Sequence, residues 1–123
     1  MKERPILLIV EDELDIKILY KSILKQHFDF EIMETDSVRG TTDVLKKCIP
    51  DYVLLDLCLP DGDGYQIMPL LREVNPNVRV LVISAFNCGQ ERKKVEISGA
   101  MGLLAKPFEK EQFIQHIQQL INV

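Results

Sequence analysis

Three stretches of the chain are unbroken apolar runs rich in Ile, Leu and Val: Ile6 to Val10, Tyr52 to Leu55 and Val80 to Ile83. Runs that short, without polar alternation, predict strands buried on both faces. Between and after them, Leu14 to Gln26, Val38 to Lys47, Tyr65 to Glu73, Glu91 to Ser98 and Lys110 to Ile121 mix charged and apolar residues at helical spacing. In the last segment Phe113, Ile114, Ile117, Leu120 and Ile121 fall on one stripe. A weaker run, Phe30 to Met33, and a short one, Gly102 to Leu104, supply a second and a fifth strand. Short connections carrying Asp36-Ser37, Asn75-Pro76-Asn77 and Ser98-Gly99 punctuate the alternation. Five strand-helix units in a row predict a doubly wound α/β fold, a five-stranded parallel sheet with five helices spread over its two sides.

Composition narrows the class. A chain of 123 residues buries roughly two thirds of its unfolded surface, enough for one core and too little for two. With no repeat, low-complexity tract or linker, residues 1–123 are assigned to a single domain. No apolar run approaches the ~20 residues of a membrane span, and Glu11 and Asp12 directly follow the first one, so neither a signal peptide nor a membrane partner is expected. Cys48, Cys58 and Cys88 form an odd set without CxxC spacing, as reduced thiols in a cytoplasmic protein would. Lys and Arg number 15 against 19 Asp and Glu, a net charge of -4 that lacks the basic footprint direct nucleic-acid binding requires.

In open parallel sheets, ligands bind outside the carboxyl ends of the strands, where strand order reverses. The residues that end the predicted strands are Glu11 and Asp12, Asp56, Ser84, and Lys106 with Pro107. Three carboxylates on one rim repel one another unless a cation sits among them. A hard divalent ion, Mg²⁺, accepts oxygen ligands and suits one or two carboxylates, a backbone carbonyl and a phosphoryl oxygen. Lys106 and Ser84 add donors for an anion, which makes the set suited to a phosphoryl group, with Asp56 as the carboxylate nucleophile.

Taken in order, these residues carry a resemblance. Ile6-Leu7-Leu8-Ile9-Val10-Glu11-Asp12-Glu13, Asp56-Leu57-Cys58-Leu59-Pro60-Asp61-Gly62-Asp63-Gly64, Val82-Ile83-Ser84-Ala85 and Gly99-Ala100 leading to Lys106-Pro107-Phe108 resemble the receiver domain of two-component response regulators. The resemblance spans essentially the whole chain and implies the flavodoxin-like strand order 2-1-3-4-5. It implies transfer of a phosphoryl group from a phosphohistidine on a sensor histidine kinase or phosphotransfer protein to Asp56. The implied metal ligands are Glu11, Asp12, Asp56 and the Cys58 backbone carbonyl, with Asp12 the more direct of the acidic pair. Lys106, joined to Pro107 by a cis peptide, pairs with the phosphoryl oxygens. Ser84 moves toward the phosphate and switches the surface of the fourth helix, fifth strand and fifth helix, through which a phosphorylation-dependent homodimer can form. Most relatives place an aromatic readout residue three positions before the lysine; here that position is Leu103. Cys58 and Phe86, two beyond Asp56 and two beyond Ser84, offer no amide or carboxylate to orient an attacking water, which implies slow self-dephosphorylation.

Other features read as structural. Asp61-Gly62-Asp63-Gly64 resembles the start of a calcium loop but lacks the later ligands and closing Glu, so it is a turn opening the third helix. His27 and His116 are surface or packing residues, Phe108 and Phe113 core, and the mixed charges Glu91, Arg92, Lys93, Lys94 and Glu96 a solvated face or a partner face. Neither GxGxxG nor GxxxxGK[ST] follows the first strand, and Asp56-Leu57-Cys58 lacks the second aspartate of an Asp-x-Asp phosphatase. The rival reading is a receiver-like interaction module that signals without phosphorylation. The output stays open, as does the choice between a stand-alone receiver and the receiver of a longer regulator.

Overall fold

The structure is a computed structural model that describes residues 4–85 and 98–122. Its main sheet contains β1 (Ile6–Val10), β2 (Glu31–Thr35), β3 (Tyr52–Leu55), β6 (Arg79–Ser84) and β7 (Gly102–Ala105). All neighbouring pairs are parallel, in the order β2-β1-β3-β6-β7, which is the expected 2-1-3-4-5 arrangement of the five main strands. The helices are α1 (Leu14–His27), α2 (Val38–Leu45), α3 (Ile67–Val74) and a C-terminal helix (Lys110–Ile121). Phe86, Cys88 and the predicted fourth helix, apart from its last residue Ser98, lie outside the described residues.

The apolar runs are continuous because each strand feeds two cores. Leu8 and Val10, Val53 and Leu55, Val80 and Val82 face the cluster completed by α2 and α3 through Leu45, Ile67, Met68 and Leu71. The alternate residues Leu7, Ile9, Leu54, Leu81 and Ile83 face the cluster completed by Tyr20, Ile23 and Leu24 of α1 and by Phe113, Ile117 and Leu120 of the C-terminal helix.

Three local details differ from the expectation. The second strand begins at Glu31 rather than Phe30, because parallel pairing aligns Ile6 with Glu31 and Val10 with Thr35; the Phe30 ring is buried against Phe28 and Tyr52 before the strand starts. Helix α2 ends at Leu45, short of Lys47. The segment after Asp56 is a small antiparallel hairpin of β4 (Cys58–Leu59) and β5 (Gly62–Asp63), followed by a 3₁₀ turn at Gly64–Gln66 that leads into α3. The helix ends are tied down: Ser37 Oγ accepts from Gly40 N–H at 2.9 Å to cap α2. Arg79 Nη1 donates to the Leu120 and Ile121 carbonyls at 3.0 and 2.8 Å, closing the end of the C-terminal helix. Among the described residues no helix is long and apolar enough to cross a membrane, and neither Cys48 nor Cys58 forms a disulfide.

Candidate functional site

Strand order reverses at β1, which has β2 on one side and β3 on the other. Sheet hydrogen bonds run one residue past the strands here: Glu11 N–H donates to Thr35 O at 3.1 Å, Asp56 N–H to Val10 O at 3.0 Å and Lys106 N–H to Ser84 O at 2.9 Å. The backbones of the three charged residues are therefore placed by the sheet itself, whereas residues on long loops would depend on loop packing. Gly64 closes the base of the hairpin, its N–H donating to Leu57 O at 2.9 Å. A Cβ on Gly64 would stand 2.4 Å from the Asp56 carbonyl oxygen, so the chain passes over Asp56 only because this residue has no side chain.

Glu11 and Asp56 are buried and Asp12 is exposed, and each offers a carboxylate oxygen within 4.8 Å of the other two. Lys106 Nζ donates to Glu11 Oε1 at 2.7 Å and lies 3.5 Å from Asp56 Oδ2. Cys58 N–H donates to Asp56 Oδ1 at 3.1 Å, and Glu13 N–H to Glu11 Oε2 at 3.2 Å. Burial pushes the Glu11 carboxyl up to about 7, aided by the charge of Asp56 and opposed by Lys106. Burial pulls the Lys106 ammonium down, but its bond to Glu11 and the charges of Asp56 and Glu11 outweigh this and raise it. Among the described residues, three carboxylates and one ammonium leave an excess of negative charge in a partly buried pocket, on hard oxygen donors. A divalent cation of the magnesium type fits this donor set.

The predicted residues Glu11, Asp12, Asp56 and Lys106 are thus brought together. Ser84 is buried at the end of β6, its carbonyl bonded to the Lys106 backbone. The Lys106-Pro107 bond is cis. Leu103 pairs in register with Val82 and packs, partly buried, on the α2/α3 core. Cys58 is exposed on the hairpin; Phe86 lies outside the described residues. His27 is exposed and His116 half-buried, with Nδ1 2.7 Å from the Gln112 carbonyl. Two features escaped the sequence reading. The Asp61 carboxylate at the hairpin tip reaches the first turn of α2, and the Tyr20 hydroxyl, on α1, is buried without a hydrogen-bond partner among the described residues. Asp61 stands in a turn sequence, which signals a bend but not what the carboxylate touches.

The chain matches the family model of the response regulator receiver domain over residues 7–118 and belongs to that family. Its members are signalling switches of two-component systems rather than metabolic enzymes. The chain is 27% identical over 118 residues to the sporulation initiation phosphotransferase F of Bacillus subtilis (strain 168), covering 94% of this chain and 92% of that one. It also resembles the non-phosphorylated HemR receiver domain from Leptospira biflexa, with a TM-score of 0.89 at 25% identity over 98% of this chain and 96% of that one. In fold it is similar to the receiver domain of a sensor histidine kinase from Pseudomonas aeruginosa PAO1, solved with a magnesium ion coordinated in its active-site cleft. That likeness has a TM-score of 0.82 at 20% identity and covers 98% of this chain and 100% of the other.

Proposed function

We propose that residues 1–123 form one receiver domain that accepts a phosphoryl group on Asp56 from a phosphohistidine of a sensor histidine kinase or phosphotransfer protein. The observation that carries this reading is the buried Asp56 carboxylate, with Cys58 N–H on Oδ1 at 3.1 Å, Lys106 Nζ 3.5 Å from Oδ2, and Glu11 and Asp12 beside it. An Asp56 oxygen attacks phosphorus, the new O–P bond forms as the N–P bond of the phosphohistidine breaks, and the electron pair returns to the imidazole nitrogen. Lys106 exchanges its contact with Glu11 for one with the phosphoryl oxygens, and its ammonium offsets their charge. Ser84 supplies a hydroxyl to a phosphoryl oxygen from the end of β6. Glu11, Asp12, Asp56 and the Cys58 backbone carbonyl would hold Mg²⁺, which would supply positive charge beyond that of Lys106.

The phosphorylated state draws Ser84 toward the phosphate and alters the surface of β7 and the C-terminal helix, through which an output partner or a second copy is engaged; the fourth helix expected to share that surface lies outside the described residues. With Leu103 at the usual aromatic position, the readout runs through leucine packing on the α2/α3 core. That same residue favours the second reading, a receiver-like interaction module independent of phosphorylation; the intact acidic cluster and lysine favour the first. Because neither Cys58 nor Phe86 has an amide or carboxylate side chain to orient an attacking water, self-dephosphorylation is slow.

Intact mass after incubation with acetyl phosphate, with and without Mg²⁺, tests the proposal on wild type and Asp56→Asn. A Mg²⁺-dependent gain of one phosphoryl group that the variant lacks is the expected result. Absence of any gain, with acetyl phosphate and with a phosphohistidine donor protein alike, brings the interaction-module reading forward.

A further inference from the structure

The hairpin after Asp56 carries Cys58, whose N–H bonds Asp56 Oδ1. Its base is fixed where Gly64 crosses the Asp56 carbonyl. Leu59 of the hairpin is buried in the α2/α3 core, and at the exposed tip Asp61 spans to another element. Asp61 Oδ1 accepts from Val38 N–H at 2.8 Å and Oδ2 from Arg39 N–H at 3.0 Å, so both oxygens are used on the first turn of α2. Together with Ser37 Oγ on Gly40 N–H, they satisfy three successive amide donors that a helix start leaves unpaired. Next to Asp61, Gly62 packs so close to α2 that a Cβ there would lie 3.3 Å from Val38 Cγ2. Bonds from the Arg39 and Val38 amides hold the Asp61 carboxyl below its usual range, as a helix N-terminus does for a charged acceptor.

We infer that Asp61 is a positioning residue: by clamping the hairpin tip to the N-terminus of α2, it holds the Cys58 backbone in the register in which it meets the Asp56 carboxylate. Ser37 already serves α2 as a local cap, so the helix start does not depend on Asp61 alone. The distinctive product of the Asp61 bonds is the link between elements 22 and 23 residues apart in sequence. When the link is cut, the hairpin samples open positions, and only the closed fraction presents the Cys58 carbonyl beside Asp56 and the acidic pair. Apparent affinity for a cation at the site falls in proportion to that fraction.

This inference rests on the reading of Glu11, Asp12, Asp56 and the Cys58 carbonyl as a Mg²⁺ site, and the test separates the two. Magnesium chloride is titrated into the full chain by calorimetry for wild type, Asp61→Ala, Asp61→Asn and Ser37→Ala, with the Cys58 amide resonance followed by NMR. For Asp61→Ala the Kd for Mg²⁺ is expected to rise about five-fold and the Cys58 amide signal to shift and broaden, as a reduced competent fraction requires. Asp61→Asn, which keeps one acceptor oxygen, falls between. Ser37→Ala, which removes a cap from the same helix, loses thermal stability but holds its Kd within about two-fold of wild type. The inference is overturned if Asp61→Ala binds Mg²⁺ as wild type does, or if Ser37→Ala weakens binding equally, since Asp61 is then only a helix cap. Wild type that binds no Mg²⁺ overturns the metal site itself, and this inference with it.

Discussion

The two faces of the sheet are built from different materials. None of the buried members of the α2/α3 cluster among the described residues is aromatic; it is Leu, Val and Ile with Met68. On the other face Tyr20, Phe108 and Phe113 stack on one another, with ring centroids 5.2 to 6.0 Å apart, and Phe28, Phe30 and Tyr52 form a second aromatic group. The difference matters at the site, because each face supports a different part of it. Phe108 lies two residues beyond Lys106, so the lysine corner is anchored by rings shared with α1 and the C-terminal helix. The Asp56 loop leans toward the aliphatic face, where Leu57 and Leu59 are buried and the hairpin tip is bonded to α2. Beyond the sheet bonds common to both, one half of the site leans on ring packing and the other on aliphatic packing and the Asp61 hydrogen bonds.

The largest effect expected from disturbing this division is on the aromatic side. Phe113 is fully buried and stacked on both Tyr20 and Phe108; Phe113→Ala should cost about 3–5 kcal/mol in chemical denaturation. It should also change the near-UV circular dichroism from Tyr20, whereas Leu71→Ala on the other face lowers stability and leaves that signal intact. Equal loss of the tyrosine signal in both variants would show that the two faces do not act separately.

Next comes the charge between the faces. Folded Glu11 keeps its proton up to about 7 against an ordinary 4.5, so the unfolded chain releases that proton first as pH rises. This group therefore favours the fold at low pH, and the metal-free protein loses on the order of 3 kcal/mol from it between those two values. Lys106 stays charged throughout, its own titration being raised. Urea midpoints from pH 4.5 to 8 for wild type and Glu11→Gln check this, the slope due to Glu11 being absent from the variant. A wild-type slope no steeper than the variant's would mean Glu11 is ionised in the fold at low pH.

A smaller effect is expected on the hydrogen-bonded side. Gly64→Ala places a methyl 2.4 Å from the Asp56 carbonyl oxygen and 2.9 Å from Leu57 Cα, both backbone atoms. The hairpin base must move, at about 1–3 kcal/mol in urea unfolding. Unchanged stability would show that the base yields freely. The smallest effect belongs to Tyr20→Phe, which removes a buried hydroxyl without a partner among the described residues and keeps the ring stack. Stability should stay within about 1 kcal/mol of wild type or rise, because no hydrogen bond is lost and a desolvated polar group is removed. A loss above about 2 kcal/mol would reveal a bond made by that hydroxyl in solution.

Much of this was legible in the order of residues. Continuous apolar runs mark strands covered on both faces, and the charged residues that end them mark the carboxyl edge of the sheet, so Glu11, Asp12, Asp56 and Lys106 could be named as neighbours. Periodicity does not reach features only two residues long, which is why the Cys58–Leu59 and Gly62–Asp63 pairing read as a plain turn. It also does not set register: Phe30 looks like strand, yet it packs as a ring ahead of β2 while Glu31 takes the place opposite Ile6.

Strand and helix periods, the apolar character of both sheet faces and the residue types at the strand ends are local properties, and the sequence by itself determined them. Partners across the chain are different. Lys106 bonds Glu11, 95 residues away, more closely than it approaches Asp56, and Asp61 bonds α2 rather than its own turn. Those choices depend on distances of a few tenths of an ångström between elements that meet only when the sheet, the helices and the hairpin are packed together. Charge pairing and burial are collective quantities of that packing, so only the tertiary structure decided them.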